Sequence, residues 1–232
     1  MKKAFTMLEL VMVIVVVGIL AAVAIPRTQS NSLSEAATQV ISHIRYTQHL
    51  AMVDDKFDVV NNQWYLGRWQ ISFSNANGTI SYMIFSERQG AYNGNPDSDL
   101  VYSNSEVAVN PLNNRNFLIG TEDNNFANDS SERLTNLLDI GNKYSIQDFV
   151  VSGGSTGSTS NGVIFDSLGR PYRGNTDSGV ASVINSPQHR LAISTINIKL
   201  CIETCTGSNA TANNNNEIVI AIEPETGYAH IL

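Results

Sequence analysis

The sequence predicts an α+β protein in which a long N-terminal helix, membrane-spanning in its first half and amphipathic in its second, packs on a C-terminal antiparallel β-sheet domain. Three observations carry that reading. An apolar run of 21 residues extends from Phe5 to Ile25, broken by a single charge. Apolar residues then recur at helical spacing from Leu33 to Ala51. From Phe57 onward, short β-rich runs alternate with turns rich in Gly, Asn and Asp. The expected divisions are a basic leader at 1–4, an apolar helix at 5–26, an amphipathic helix at 27–55 and a β-rich globular domain at 56–232.

Length decides what the first element is. At ~1.5 Å per residue, a helix over the apolar run covers roughly 32 Å, enough for the ~30 Å hydrocarbon core of a bilayer. A secretory signal has a shorter apolar region followed by a small-residue cleavage site, whereas Ala21, Ala22 and Ala24 lie inside the run. Lys2 and Lys3 precede it, and the positive-inside rule keeps that end in the cytoplasm and places the domain outside. Glu9 is the exception within the run. A carboxylate one turn into a membrane helix can reach the head groups and favours the positive end of the helix dipole. Alternatively it is buried against a partner charge, because an ionisable group in a bilayer costs about 2.5–3.5 kcal/mol at a helix centre. No basic residue on its side of the run supplies that partner, so on this second reading the charge comes from another molecule.

Past Pro26, the residues Leu33, Ala36, Ala37, Val40, Ile44, Thr47 and Ala51 form a core-facing stripe, with Ser34, Glu35, Thr38, Ser42 and Arg45 largely on other faces. Ser32 with Glu35 offers a capping box, which predicts a helix restarting at Ser32 after a weak stretch over 26–31. The phrase RWQISFSNANGTISYMIF predicts a hairpin, with Trp69, Ile71 and Phe73 answered by Ile80, Tyr82 and Ile84 across an Asn77-Gly78 turn. The segment from Gln89 to Asp129 is rich in Asn and Asp and yields no element assignment. A short helix through Leu134, Leu137 and Leu138 is expected to end by Gly141, followed by a strand in YSIQDFVVS and a loop at 153–162. GVIFDSLGRPY, LAISTINIKLCIETC and EIVIAIEPETGYAHIL complete the chain as strand, turn, strand, loop, strand, tight turn, strand.

Catalytic chemistry has little to stand on. His43, His49, His189 and His230 are scattered, and no nucleophile elbow, phosphate loop or Cys-His cluster is present. The expectation is a non-enzyme, without catalytic residues or a metal centre. Calcium is the one cofactor considered, at Asn93–Asp99 or Glu122–Asp129, although both lack EF-hand spacing and read better as solvated loops. With 14 basic against 21 acidic side chains, nucleic acid is an unfavoured partner, and Arg170 and Arg173 around Tyr172 form the best candidate patch for it. Cys201 and Cys205 are the two cysteines; in an oxidising compartment they are expected to pair, the alternative being two reduced thiols.

The stretch KKAFTMLELVMVIVVVGILAAVAIP resembles the N-terminus of type IV pilins and of the pseudopilins of type II secretion systems. The resemblance implies a leader Met1 to Ala4, cleaved by a prepilin peptidase between Ala4 and Phe5, with N-methylation of the new Phe5 amine. Thr6 and Leu8 hold motif positions, Glu9 is the characteristic acid, and Pro26 falls at the expected proline. Ala4 stands where glycine is usual, and Met7 replaces a commoner aliphatic residue. The resemblance supplies the charge sought above: the Phe5 ammonium of one subunit can pair with Glu9 of a neighbour in a filament core. Removing Lys2 and Lys3 moves the formal charge from −7 to −9.

The helix phrase and the C-terminal strands are similar to the H-type pseudopilins and FimT-like minor pilins, with the phrase F-D-x-x-G-x-P at Phe165 to Pro171. What this implies is a minor, initiating or tip-proximal subunit of a pilus or pseudopilus. Its long loops at 89–129, 153–162 and 206–216 fit a place with few lateral neighbours. The implied partners are other subunits, the peptidase, the inner membrane and its assembly platform, with the domain in the periplasm before assembly. A DNA-binding minor pilin and a membrane-tethered adhesin or enzyme are the alternatives.

Overall fold

The computed structural model describes residues 7–75, 78–90, 92–96, 105–121, 133–155, 157–177 and 183–232, with the side chains of 21–31 outside that description. Among the described residues one helix, α1 (Met7–Val53), precedes eight strands and a short second helix. The strands are β1 (Gln70–Ser74), β2 (Ser81–Phe85), β3 (Asp148–Gly153), β4 (Gly162–Phe165), β5 (Pro171–Tyr172), β6 (Ile196–Cys201), β7 (Glu217–Ile222) and β8 (Ala229–Ile231); α2 (Ile140–Tyr144) lies between β2 and β3. The architecture is α+β, a helix packed on antiparallel sheets.

The strands divide into two four-stranded sheets, ordered β2-β1-β4-β5 and β3-β6-β7-β8, where the sequence predicted one. The helix packs against strands of both. Its stripe is the predicted one: Leu33, Ala36, Ala37, Val40, Ile44, Thr47 and Ala51 are all buried. They meet Ile71, Phe73 and Val163 of one sheet and Ile198, Ile220 and Ile222 of the other in a single core. Gln48 joins the two sheets at their turns, donating to the carbonyls of Gly169, after β4, and Thr226, after β7, both at 2.8 Å. Gly227 leaves space for that link, since a Cβ there would lie 2.5 Å from Gln48 Nε2 and 2.4 Å from the Gly169 oxygen.

Several boundaries differ from expectation. The chain stays helical through Pro26 and Ser32 instead of restarting, and α1 ends at Val53, two residues before the predicted limit. Proline removes one intrahelical hydrogen bond, but the turns on both sides continue the helix. The helix expected to end by Gly141 lies later, as a 3-10 turn at Asn136–Leu138 followed by α2. Asp139 sets its start by accepting from the Asn142 N–H at 3.0 Å. Gly141 is inside α2, not a stop signal, because a Cβ would lie 2.4 Å from Thr79 Oγ1. The β1–β2 hairpin has the expected pairing, Ile71 with Ile84 and Phe73 with Tyr82, but β1 begins after Trp69, and Asn77 lies outside the described residues. Within 89–129, a ladder extends the first sheet through Phe85 with Val107, Met83 with Ile119, and Val109 with Phe117.

Candidate assembly interface

The two parts of α1 have different surroundings. From Met7 to Leu20 every residue is exposed, and the side chains are apolar apart from Glu9 and Gly18. The consecutive residues Val13, Ile14, Val15 and Val16, which step around the whole helix at about 100° each, are 52%, 62%, 55% and 55% exposed. Among the described residues, no strand or loop of the domain covers this arm. Glu9 sits in its first turn, exposed, where the helix dipole favours an acid. Ala4 and Phe5 lie outside the described residues, and Pro26 is within α1. Among the described residues no helix is long and apolar enough to cross a membrane; the arm's described side chains cover roughly 21 Å of helix against the ~30 Å bilayer core.

Beyond Leu33 the helix faces carry polar contacts that fix the domain. His43 Nδ1 lies 2.6 Å from the buried Tyr82 hydroxyl. Gln39 donates to that hydroxyl at 3.0 Å and to the Leu137 carbonyl, and it accepts from Tyr144 at 2.7 Å. Burial holds the His43 imidazole down to about 4, so it is neutral at physiological pH and acts as a structural hydrogen-bonding group. The scattered histidines remain apart: His230 pairs with Glu223 at 3.0 Å, and His189 accepts from the Asn185 N–H.

Most of the basic patch is buried. Tyr172 is fully buried and Arg173 is 6% exposed; the Arg173 guanidinium donates to the carbonyls of Val151, Gly153 and Ser160, tying β3 to the loop that follows it. Arg170 is engaged by Asp166 at 2.7 Å, and Tyr172 also donates to Asp166, at 3.0 Å. The F-D-x-x-G-x-P phrase is therefore a turn held by its aspartate, whose Oδ1 accepts the N–H groups of Leu168 and Arg170.

Cys201 and Cys205 form a disulfide with Cα atoms 5.5 Å apart. Beside it is an arrangement that sequence reasoning missed. Lys199 and Glu217 are both fully buried and pair at 2.8 Å across β6 and β7. Lys199 also donates to the carbonyls of Thr206 and Ser208, while Glu217 accepts from Thr206 and Asn213. Burial pushes the Glu217 carboxyl up, and these donors outweigh it, holding it down to about 2. The visible signal was a lysine inside the apolar run INIKLC. A second missed cluster lines a cavity of about 360 Å³, where Glu87 and Glu106 lie beneath Trp64, Trp69 and Tyr92. Glu87 accepts from Thr176 and from the Asn93 N–H; burial is the main reason its carboxyl is raised to about 7.

Among the described residues, no group of three or more His, Cys, Asp or Glu is placed to hold a metal ion. Of the two calcium candidates, Glu122–Asp129 and the end of Asn93–Asp99 lie outside the described residues. No protein-family model, no curated protein and no solved structure matches the chain.

Proposed function

We propose that this protein is a subunit of a type IV pilus or of a type II secretion pseudopilus. The observation that carries the reading is the arm, apolar on every side over Met7–Leu20 and exposed throughout. A helix without a polar face has no stable place in water and needs lipid or other helices around it. Residues 5–25 would lie in the inner membrane before assembly, with the domain in the periplasm, and in the filament core afterwards. Glu9 then serves assembly: in the core it pairs with the Phe5 ammonium of a neighbour, and a register that leaves either charge unpaired is penalised.

The minor, tip-proximal position loses part of its ground. It rests on the likeness of the C-terminal strands to that minor group and on three long loops; of the loops, the one at 206–216 is clamped by Lys199 and Glu217, and Val107, Val109, Phe117 and Ile119 form bridges. We carry forward the subunit reading alone. Nucleic acid is not carried forward as a partner, since Arg170 is paired with Asp166 and Arg173 donates to backbone carbonyls.

Mass spectrometry of the N-terminus, on full-length protein from membranes containing a prepilin peptidase, tests the reading. The expected product begins at Phe5 and is methylated. A peptidase-dependent system that still yields Met1 rejects it. In the same cells Glu9→Leu should keep the protein in the membrane and exclude it from sheared filaments.

A further inference from the structure

We propose that the loop following α1 in one copy seats in the groove between α1 and β8 of the next, making a head-to-tail contact that can repeat. The inference rests on the subunit reading and adds the surface through which the globular domains meet.

The loop is built to present apolar side chains. Phe57, Val59 and Val60 are 61%, 86% and 91% exposed, yet the backbone beneath them is fixed. Asp55 Oδ1 accepts the Phe57 N–H at 3.1 Å, and Asp58 Oδ1 accepts the Val60 N–H at 2.8 Å. Phe57 also lies edge-on to Trp64 with ring centroids 5.3 Å apart. Solvated loops do not need such support for two valines held almost wholly in water. The loop is also acidic: Asp54, Asp55 and Asp58 stand against Lys56, which pairs with Asp54 at 2.5 Å.

A surface of this chain has the opposite character. A groove of about 430 Å³ runs beside α1, with Ile41 and Ile231 as its apolar walls and Arg45 and His230 as its bases. The Arg45 guanidinium is held over the Tyr228 ring at 5.9 Å while donating to the Ala229 carbonyl. His230 carries a shared charge, because Glu223 faces it at 3.0 Å, so Arg45 is the groove's principal cation. A larger groove of about 570 Å³ also lies along α1, but it contains Glu35 and the neutral His43. Charge therefore selects the Arg45 groove for an acidic loop.

Within one copy the loop turns toward Trp64 and Trp69. Its position beyond the C-terminal end of α1 is about 12 Å further along the helix axis than Arg45. Two different surfaces, offset along the axis, define a heterologous contact, which forms an open helical array unless the rotation closes a ring. A contact of this kind favours a subunit present in many copies.

The test uses full-length protein in membranes, with Val60→Cys and Ile231→Cys in one chain. Cys201 and Cys205 are already bonded to each other, which leaves the introduced thiols to report the contact. Mild oxidation should give a ladder of multimers from the double variant and none from either single variant. Arg45→Glu should abolish the ladder, whereas Arg45→Lys, which keeps the charge, should retain it. Formaldehyde separates the two ways of failing. Multimers with formaldehyde but no Val60–Ile231 ladder overturn this contact and leave the subunit reading standing; no multimers by either route overturn both.

Discussion

The two halves of α1 share one backbone and differ in what completes them. Leu33–Ala51 has a buried stripe and a polar outer side, and both sheets of its own chain cover the stripe. Met7–Leu20 has no polar side, and nothing among the described residues of its own chain covers it. The difference separates two jobs that a uniform amphipathic helix would mix. Folding free energy is concentrated where the partner is intramolecular, and the half without a partner is available to lipid or to other copies. A one-sided apolar pattern therefore identifies a fold element, while an all-round pattern identifies an element whose surroundings lie outside the chain.

The sharpest way to break this comparison is to truncate one branched side chain to alanine in each half. Ile44 is fully buried between the sheets, and Val13 is 52% exposed. Ile44→Ala should cost about 2–5 kcal/mol of domain stability, the range for truncating a buried branched side chain. Val13→Ala should leave domain unfolding unchanged within ~0.5 kcal/mol. Denaturant titration of the full chain in detergent, followed through Trp64 and Trp69 fluorescence, reads both. Similar losses at the two positions would mean that the arm packs on the domain after all.

The same contrast explains what was legible in the sequence. Every residue of the predicted stripe is buried because period 3.6 reports directly on which face a helix turns inward. The C-terminal strands were legible because apolar runs such as NIKLC and EIVIAI are bounded by turn residues. Two sheets were not legible, because antiparallel pairing between β1 and β4 joins segments about ninety residues apart and no local pattern encodes it. Gly141 misled because glycine serves close approach as well as helix termination. Arg173 misled because a basic residue beside an aromatic looks the same in sequence whether its guanidinium faces water or, as here, three backbone carbonyls. The site residues at the N-terminus came from motif resemblance, whereas Glu87 and Lys199 depend on tertiary burial.

Within the packed region, Glu87 should reveal itself through pH. Its folded carboxyl sits near 7 and the unfolded one near 4.5, so the folded state binds more protons between those values. Its contribution to stability is present below about 4.5 and is lost as pH rises toward 7. His43 acts in the opposite sense, because its folded value near 4 lies below the ordinary 6.5 and stability rises with pH across that interval. The groups facing Glu87 are Glu106, Thr176 and the N–H groups of Asn93 and Gly94. Glu87→Gln removes one of the two opposing contributions. Relative to the unsubstituted protein, the variant should gain stability from pH 4.5 to 7, by at most about 3 kcal/mol. Parallel stability profiles for the two proteins over that range would show that Glu87 is ionised in the fold at the same pH as in the unfolded chain.

The smallest effect is expected from breaking the disulfide beside the other exposed segment, the Asn-rich loop 206–216, which differs from the arm in being anchored by its own chain. The Cys201–Cys205 bond closes a ring of five residues, for which chain-entropy scaling gives about 2 kcal/mol. That is an upper figure here, because other contacts persist without the bond. The Cys205 N–H donates to Asp148 at 2.9 Å, and the Lys199–Glu217 pair holds Thr206 and Asn213. Cys201→Ala with Cys205→Ala should therefore lower stability by no more than ~2 kcal/mol and leave Asn213 protected from hydrogen exchange. Lys199→Met should do more with the disulfide intact, since it leaves the Glu217 carboxylate buried without its counter-ion, a change that costs about 3–5 kcal/mol. Comparing exchange at 206–216 in the two variants ranks the clamps. Greater loosening in the cysteine variant would make the covalent bond, and not the buried pair, the device that keeps this polar loop from behaving as the uncovered arm does.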